Sequence, residues 1–395
     1  MIPGRRCRRE EGARVIEKVQ FRNFKAYRSL DLDLEPFTVL VGPNASGKTT
    51  LLEGLRLISD HAASAFIDPY DADWADPKLR SFGVSRPIEL TLSGRWNKTP
   101  GLLRYVGHEP EIDGLDHPVS GQWGELNFGL GQVEGSAKPI GESESLFDFG
   151  LKLLATEVLR FELMRLAEAS YSEAEIPRVE GNGSGLASVL AYLKLSHDET
   201  FSEIELSLKR IVPSVRRIRI ERAMVEQNSL RTIALDEQKA LVPEKRTLWG
   251  NRIVLDMQGA KGVPANAAGE GTLMVLGLLT VLMGPQKPRL VLLDDIELAL
   301  HPTAQERLIA ALRVIQAKDP ELQIVATSHS PFILNYLKPE EVRMTFLTEN
   351  GFARCEKLTA HPEFEKWKEL MSPGEFWSTV GESWIGKVSA SASHE

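Results

Sequence analysis

The eight residues 42–49 constrain this chain more than any other segment. They read GPNASGKT and fit the pattern G-x-x-x-x-G-K-[ST] at every position. An apolar segment, FTVLV, precedes them, and a helical pattern begins near Lys48. A strand, a glycine-rich loop and a helix in this order form a phosphate-binding P-loop. We therefore expect an α/β fold in which backbone N–H groups of the loop face phosphate oxygens.

Each residue type in this loop has a predicted task. Lys48 would neutralise the β- and γ-phosphates of a nucleoside triphosphate, and the Thr49 hydroxyl would be a ligand of Mg²⁺. The expected nucleotide-binding set is the loop and the next hydroxyl, namely Gly42, Pro43, Asn44, Ala45, Ser46, Gly47, Lys48, Thr49 and Thr50. The loop alone does not distinguish kinases, GTPases and ATPases.

A second apolar segment, RLVLLDD at residues 289–295, ends in two carboxylates. One carboxylate at the end of a buried strand can hold Mg²⁺ through water, and the next can orient the attacking water. We assign Asp294 to the metal and Asp295 to the water, and Glu297 would share either task. The alternative for this pattern on its own is a solvated acidic turn.

Two further segments carry candidate site residues. QIVATSH (323–329) is predicted to be a buried strand that ends at His329, which would donate a hydrogen bond to a γ-phosphate; the alternative is a loop histidine. Before the apolar helical segment 273–283 lies a small-residue turn, and such a turn at a helix start binds anions. Because the chain has its own phosphate loop, we expect this turn to contact a partner subunit's nucleotide through Gly269, Gly271 and Thr272. An ordinary helix cap is the alternative.

The order of these segments resembles the ABC-type ATPase heads of the RecF, SMC and OLD group. Residues 16–55 resemble the first block of that group, GEGTLMVLGLL its signature, LLDDIELALHP its Walker B motif and D-loop, and ATSHSPFIL its switch-histidine strand. The similarity is strongest to compact bacterial ATP-binding proteins linked to phage defence. It implies a head with a P-loop parallel-sheet core, an antiparallel β lobe and a helical insertion.

The resemblance also implies that ATP is sandwiched between two subunits, with each signature acting on the other subunit's nucleotide. His301 and Pro302 would lie in the D-loop at the dimer seam. The first strands of the family contact the nucleotide, here at Arg22, Asn23 and Lys25, although a solvated strand face explains these residues equally well. Gly269 replaces the family's signature serine, Asp295 stands where many relatives have Glu, and no glutamine can be placed in a Q-loop. ATP binding is therefore expected, with slow turnover.

The predicted organisation has five parts. These are a disordered leader (1–14), an N-terminal ATPase half (15–60), an antiparallel β lobe with a helical insertion (61–265), a C-terminal ATPase half (266–345) and a tail (346–395). Local patterns predict a helix over 48–59, helical structure over 145–169 with Leu151, Leu154, Val158 and Phe161 on one face, and short strands with polar loops over 224–266. Thr303 and Glu306 have the spacing of a capping box, and Asp319-Pro320 would end that helix.

Composition excludes several classes of protein. A formal charge of −8 argues against a protein that coats nucleic acid over its whole surface. The two cysteines, Cys7 and Cys355, suit a reducing cytosol and form no disulfide framework. No apolar run reaches the roughly 18 residues that suggest a membrane span. We therefore expect a cytoplasmic protein without membrane contact.

Two functions fit these observations. The first is a cytoplasmic ATPase subunit that dimerises on ATP and acts as a switch for a separately encoded nuclease or toxin in anti-phage defence. The residues after His329 contain no Asp-x-Asp with a partner Glu that would indicate a fused nuclease. The alternative is a RecF-like repair ATPase that binds DNA directly through Arg216, Arg217, Arg219 and Arg222, which would otherwise form a solvated strand face. Aromatic residues in the tail indicate core packing or a docking surface: Trp367, Phe376, Trp377 and Trp384.

Overall fold

A computed structural model describes residues 16–67, 79–83, 85–96, 99–107, 119–123, 126–129, 156–235, 238–297 and 299–381. These residues form two compact units. The first draws its residues from Met1–Val158, Pro288–Glu297 and Gln316–Glu395, and the second from Leu159–Lys287 and Leu298–Ile315. The five-part division expected from the sequence stays a prediction.

Strands and helices of both units follow in chain order. The strands are β1 (Ile16–Phe24), β2 (Tyr27–Asp33), β3 (Phe37–Val41), β4 (Ile88–Trp96), β5 (Thr99–Gly107), β6 (Val119–Trp123), β7 (Leu126–Gly129), β8 (Thr156–Leu159), β9 (Val215–Leu235), β10 (Gln238–Met257), β11 (Ala260–Pro264), β12 (Leu290–Leu293), β13 (Gln323–Ser328), β14 (Val342–Leu347) and β15 (Ala353–Lys357). The helices are α1 (Lys48–Ile67), α2 (Leu163–Ala167), α3 (Leu186–Ser196), α4 (Asp198–Ile211), α5 (Glu270–Met283), α6 (Pro302–Lys318), α7 (Pro331–Leu334), α8 (Phe364–Trp367) and α9 (Pro373–Val380).

The central sheet has six strands in the order β15-β14-β3-β13-β12-β8. β3 runs parallel to β13 and β14, and β12 runs parallel to β13. Every residue of β3, β12 and β13 is buried, as expected for parallel strands covered on both faces. Parallel strands end at the same edge of a sheet. The segments that follow β3, β12 and β13 therefore meet there, and these are the segments predicted to carry the site.

A second six-stranded sheet, in the order β2-β1-β4-β5-β6-β7, is antiparallel throughout. In β2 the buried Leu30 and Leu32 alternate with the exposed Asp31 and Asp33. The apolar side chains of this sheet pack with Leu51 and other residues of α1 in one core. The antiparallel β lobe and the parallel P-loop core that the sequence predicted are both present.

Two secondary-structure predictions in the middle of the chain are wrong. Residues 145–155 lie outside the described residues. Within the described part of the stretch, 156–169, Val158 lies in strand β8 and Phe161 in a loop, and only Leu163–Ala167 is helical. β8 forms hydrogen bonds with β12 at the edge of the central sheet. That pairing, with the β-branched Thr156 and Val158, outweighs the helical spacing of the apolar residues.

The segment predicted to hold short strands and polar loops forms one long hairpin instead. β9 has 21 residues and β10 has 20, and their ladder runs from Leu235↔Gln238 to Val215↔Met257. Both faces of the ribbon carry polar residues, so the sequence lacks the apolar alternation of a half-buried strand. Cross-strand pairs support it instead, such as Glu226 and Lys245, whose charged atoms are 2.7 Å apart.

Helix boundaries also differ in part from the predictions. α1 continues to Ile67 rather than ending near residue 59. α6 begins at Pro302, and the His301 carbonyl accepts the amides of Ala304 and Gln305. The predicted Thr303–Glu306 capping box is wrong, because Thr303 already lies inside the first turn and proline is pre-organised for the first helical position. The predicted end before Asp319 is confirmed.

Candidate functional site

The glycine-rich loop joins β3 to α1 in the first unit, and its backbone has positive φ at Gly42 (150°), Ala45 (61°) and Gly47 (100°). A Cβ atom at Gly47 would lie 2.7 Å from Ala353 Cβ and 2.9 Å from Tyr27 Oη. The Tyr27 hydroxyl donates a hydrogen bond to the Gly47 carbonyl at 3.2 Å. The loop is therefore seated on β2 and β15 at a point where only glycine fits.

Lys48 turns back over this loop. Its ammonium group donates hydrogen bonds of 2.7 Å to the carbonyls of Gly42 and Pro43, and the residue is 5% exposed. α1 starts at Lys48, and the first N–H groups of a helix have no intrahelical acceptor. A buried cation beside these N–H groups matches the chemistry of a phosphate. The residues present therefore fit the phosphates of a nucleotide.

A turn that follows β12 carries the two aspartates and is fastened to the end of β13. The Thr327 hydroxyl donates to the Asp294 carboxylate at 2.7 Å and accepts the Asp295 amide at 2.9 Å. The Ile296 amide donates to the Thr327 carbonyl at 2.9 Å. One threonine thus sets the position of both aspartates. The Asp294 carboxylate and the Thr49 hydroxyl are oxygen ligands of the kind that Mg²⁺ prefers.

Glu297 connects this turn with His329. One carboxylate oxygen of Glu297 accepts hydrogen bonds from the Ser328 hydroxyl, at 2.9 Å, and from the His329 amide. Its other oxygen is buried and has no hydrogen-bond partner in the described part of the chain. His329 Nε2 lies 3.6 Å from an Asp295 carboxylate oxygen. The structure therefore brings together the three residues that the sequence proposed as catalytic.

The pKa of the Asp295 carboxyl depends on its burial and on the charged groups around it. Burial raises the pKa of the Asp295 carboxyl, the charges of Asp294 and Glu297 raise it further, and His329 and Lys48 oppose the rise. The influence of Lys48 shows that the glycine-rich loop and the acidic turn adjoin. Three carboxylates meeting one lysine and one histidine form a site with excess negative charge, which cations would relieve.

The first prediction concerns Asp295→Asn. The folded state disfavours the ionised Asp295, so this carboxylate lowers the free energy of unfolding at neutral pH. The neutral asparagine should therefore raise the free energy of unfolding above that of wild type. As the pH falls through the raised pKa of Asp295, the wild-type carboxyl becomes neutral and the difference should shrink. Urea unfolding of both proteins across this pH range measures the difference. A variant less stable than wild type at pH 7 would show that the His329 contact outweighs the repulsion.

The small-residue turn lies in the second unit. Gly269 is the N-cap of α5, and its carbonyl accepts the Thr272 amide at 3.0 Å. Gly271 and Thr272 are buried in the first turn of the helix. α5 itself packs against α2, α3 and α4. The cap geometry agrees with both interpretations of this turn, an anion site and an ordinary helix start.

The basic residues of the first strands make contacts within the fold. Arg22 pairs with Asp31 at 2.7 Å, and Lys25 pairs with Glu53 of α1, also at 2.7 Å. The Asn23 side-chain amide donates to the Pro87 carbonyl at 2.9 Å. Their proposed nucleotide contact therefore remains a prediction, while the strand-face interpretation has these pairs in its support.

The four arginines of β9 do not share one face. Successive side chains of a strand alternate between its faces, so Arg217 and Arg219 lie on one face and Arg222 on the other, while Arg216 lies at a register shift of the ladder. Arg219 pairs with Glu221 at 2.7 Å and with Asp256 at 3.6 Å. The Arg222 guanidinium lies 5.0 Å from the centre of the Trp249 ring. A single continuous arginine surface is therefore not formed.

In the tail, Phe376 is 3% exposed, and its ring contacts those of His361 and Phe364. Core packing is thus confirmed for this residue, while Trp384 lies outside the described residues. The sequence analysis missed Thr327 and Ser328, which position the acidic turn. Two hydroxyl residues directly before a strand-terminal histidine were the signal that could have identified them.

Two features do not occur among the residues that the structure describes. No helix there is both long and apolar enough to cross a membrane. No group of three or more His, Cys, Asp or Glu side chains within those residues could hold a metal ion by itself.

Known families and proteins match most of the chain. Residues 15–91 match the family described as "AAA ATPase domain", and residues 166–335 match that described as "AAA domain, putative AbiEii toxin, Type IV TA system". Over 359 residues the chain is 22% identical to an OLD nuclease of Thermus scotoductus. That alignment covers 84% of this chain but only 62% of the nuclease, less than two thirds of its length.

A shorter alignment and a solved structure agree with these matches. Over 45 residues the chain is 47% identical to the DNA replication and repair protein RecF of Roseiflexus castenholzii, which is 11% of either chain. An Smc head crystallised with the C-winged helix domain of ScpA has a TM-score of 0.51 at 14% identity, covering 89% of this chain and 99% of that one. This likeness shows a shared fold. With the motifs in their observed places, the sequence matches support an ABC-type ATPase of the RecF, SMC and OLD group.

Proposed function

We propose that this protein binds ATP, hydrolyses it slowly, and closes as a dimer around it. The observation that carries this proposal is the meeting of the glycine-rich loop with the acidic turn and His329, which follow the adjacent parallel strands β3, β12 and β13 at one edge of the sheet. A P-loop beside a strand-terminal carboxylate and a histidine is the arrangement that triphosphate hydrolysis needs. Release of phosphate from ATP by the purified protein is the direct test.

Each residue has a role that its contacts support. The amides of Gly47, Lys48 and Thr49 would bind phosphate oxygens, and the Lys48 ammonium would exchange its two carbonyl contacts for phosphate. Thr49 and Asp294 would hold Mg²⁺, which would offset the charge of the β- and γ-phosphates. Asp295 would orient the attacking water. Its side chain is one methylene shorter than glutamate, which is our reason for expecting slow hydrolysis.

Glu297 would act on His329 rather than on the reacting atoms. The Glu297 carboxylate accepts hydrogen bonds from the His329 amide and the Ser328 hydroxyl, so it fixes the backbone position from which the His329 side chain extends. His329 would donate a hydrogen bond to the γ-phosphate and lose that bond after hydrolysis. Glu297 is therefore proposed as a positioning residue, and Asp295 and His329 as the catalytic pair.

The dimer proposal predicts an effect of Gly271→Asp. A carboxylate in the first turn of α5 would repel a partner subunit's γ-phosphate, so ATP should no longer convert the protein into a dimer. ATP binding should remain, because Gly42–Lys48 is unchanged. Light scattering with size-exclusion chromatography, with and without ATP, measures the mass, and a filter assay measures bound ATP.

Gly262→Asp is the control, since Gly262 is an exposed glycine of the same unit and the nearest atom to a Cβ placed there is Arg219 Nη1, in ordinary contact at 4.0 Å. It should dimerise with ATP as wild type does. If wild type itself stays monomeric with ATP bound, the trans arrangement is wrong. If Gly271→Asp still dimerises, the turn at residues 269–272 is an ordinary helix cap.

We further propose that this cytoplasmic dimer switches a separately encoded nuclease or toxin in anti-phage defence. The similarity to an OLD nuclease and to a family described as an AbiEii toxin supports a link with such effectors. ATP would keep the dimer closed, and its opening would change the surface offered to the effector. Co-purification with the products of adjacent genes, with and without ATP, tests this. Recovery of no nuclease or toxin in either state would contradict it.

A further inference from the structure

The ribbon of β9 and β10 exposes two large apolar side chains where a soluble protein would normally bury them. Met224 is 65% exposed and Trp249 is 60% exposed. They lie directly opposite each other in the ladder, so both side chains are on the same face of the ribbon. Paired exposed apolar residues of this size are typical of a contact surface.

Trp249 is held in a defined position. The next residue, Gly250, has no room for a Cβ atom, which would collide with the Ser170 carbonyl and lie 2.7 Å from Val225 Cγ2. Asn251 exchanges two backbone hydrogen bonds of 2.9 Å with Ser170. Strand β10 is thus held beside the indole on both edges, by β9 on one edge and by Ser170 on the other. The Arg222 guanidinium, 5.0 Å from the ring centre, further restricts the ring.

The segment that contains this ribbon has a positive formal charge in an otherwise acidic chain. Residues 215–264 contain ten Lys or Arg and six Asp or Glu, a formal charge of +4, so the other residues together carry −12 in a chain of −8. Arg216 and Arg217 are exposed at its base. Among the described residues, Arg216 and Arg217 make no ion pair. This basic segment in an acidic protein is charge-complementary to a polyanion.

We propose that Trp249 stacks on an unpaired base of single-stranded nucleic acid, with Arg222, on the same face of the ribbon, contacting its phosphates. An acidic peptide would satisfy the cations but leave the indole and Met224 without a matching group. A single strand offers both phosphates and exposed π-faces, whereas the bases of a duplex are already stacked. The proposal differs from a duplex-binding arginine surface, because the arginines of β9 do not share one face.

The test is anisotropy of a labelled oligo(dT) of about 20 nucleotides with the full chain, without ATP, at about 50 mM salt. Trp249→Ala should weaken binding by roughly 5- to 150-fold, the factor that corresponds to one stacked base. Trp249→Phe should retain most of the affinity, because an aromatic face remains. Met164→Ala is the control, since Met164 is 75% exposed in the same unit and lies on helix α2 rather than on the ribbon.

Four outcomes would overturn the proposal. The first two are an oligo(dT) that does not bind to wild type and a Trp249→Ala variant with wild-type affinity. The others are an equal loss in Met164→Ala and tighter binding of a duplex of the same length. Phosphate release from ATP, measured on the same samples, should be unchanged in Trp249→Ala. Failure of the ribbon proposal can therefore be distinguished from failure of the ATPase proposal.

Discussion

Replacing Lys48 by alanine is expected to abolish ATP binding and to lower hydrolysis by at least about 100-fold, the scale for removing a charge-stabilising donor. The ammonium of Lys48 is the one cation of the loop, and it is 5% exposed and held over the loop by two carbonyls. Without it the phosphate charge would face Asp294, Asp295 and Glu297 with little compensation. Filter binding of ATP and phosphate release measure the two losses.

Lys357→Ala provides the comparison for this variant. Lys357 is a lysine of the same unit, but its ammonium pairs with Asp33 at 2.6 Å and is partly solvent-exposed. Its removal should cost under about 1 kcal/mol of stability, as for most surface ion pairs, and leave hydrolysis near wild type. Wild-type turnover in Lys48→Ala would refute the assignment of the loop. Equal losses in both variants would indicate that a general charge effect, not the loop, is responsible.

The variant Gly42→Ala is expected to be the most destabilising single-methyl change in the loop. Its Cβ would lie 2.5 Å from Thr345 Oγ1 and closer still to the Thr345 carbonyl, at a φ of 150°. Thr345 Oγ1 donates to the Val41 carbonyl at 3.1 Å and contacts Ser46 Oγ at 2.5 Å, so moving it would break both contacts. Backbone strain and overpacking together should cost about 2–5 kcal/mol. Urea unfolding and ATP binding would both report the loss.

Gly351→Ala separates strain from crowding. Gly351 lies in the same unit and has a φ of 77°, but nothing lies within 4 Å of a Cβ atom placed there. Its substitution should cost only the strain of a left-handed conformation, about 1–2 kcal/mol, and leave ATP binding intact. Equal destabilisation at the two positions would show that the collision with Thr345 is relieved at no cost.

Much of the candidate site could be predicted from the sequence because its segments are short and locally encoded. The loop at 42–49 needs only its glycines and lysine, and the two strand-terminal segments are marked by apolar runs that end in polar residues. The sequence predicted that Asp295 and His329 each follow a buried parallel strand, and parallel strands bring their carboxyl ends to one edge of a sheet. The structure places His329 Nε2 and an Asp295 carboxylate oxygen 3.6 Å apart.

Predictions failed where distant pairing determines local structure. Strand β8 exists because β12 offers it an edge, and the two strands are separated by about a third of the chain. The long ribbon exists because the residues of β9 and β10 match each other pairwise, which no local period reveals. Thr303 does not cap α6, because the helix already begins at Pro302 and Thr303 lies inside its first turn.

By itself, the sequence determined the phosphate loop, the buried parallel strands and the identity of the charged groups at their ends. These features depend on residue type and on spacing over a few positions. Only the tertiary structure decided that Thr327 fastens both aspartates, that Glu297 holds His329, and that the arginines of β9 separate onto two faces. Such contacts join segments that are far apart in the chain, and their free energy arises only once the backbone has brought the segments together.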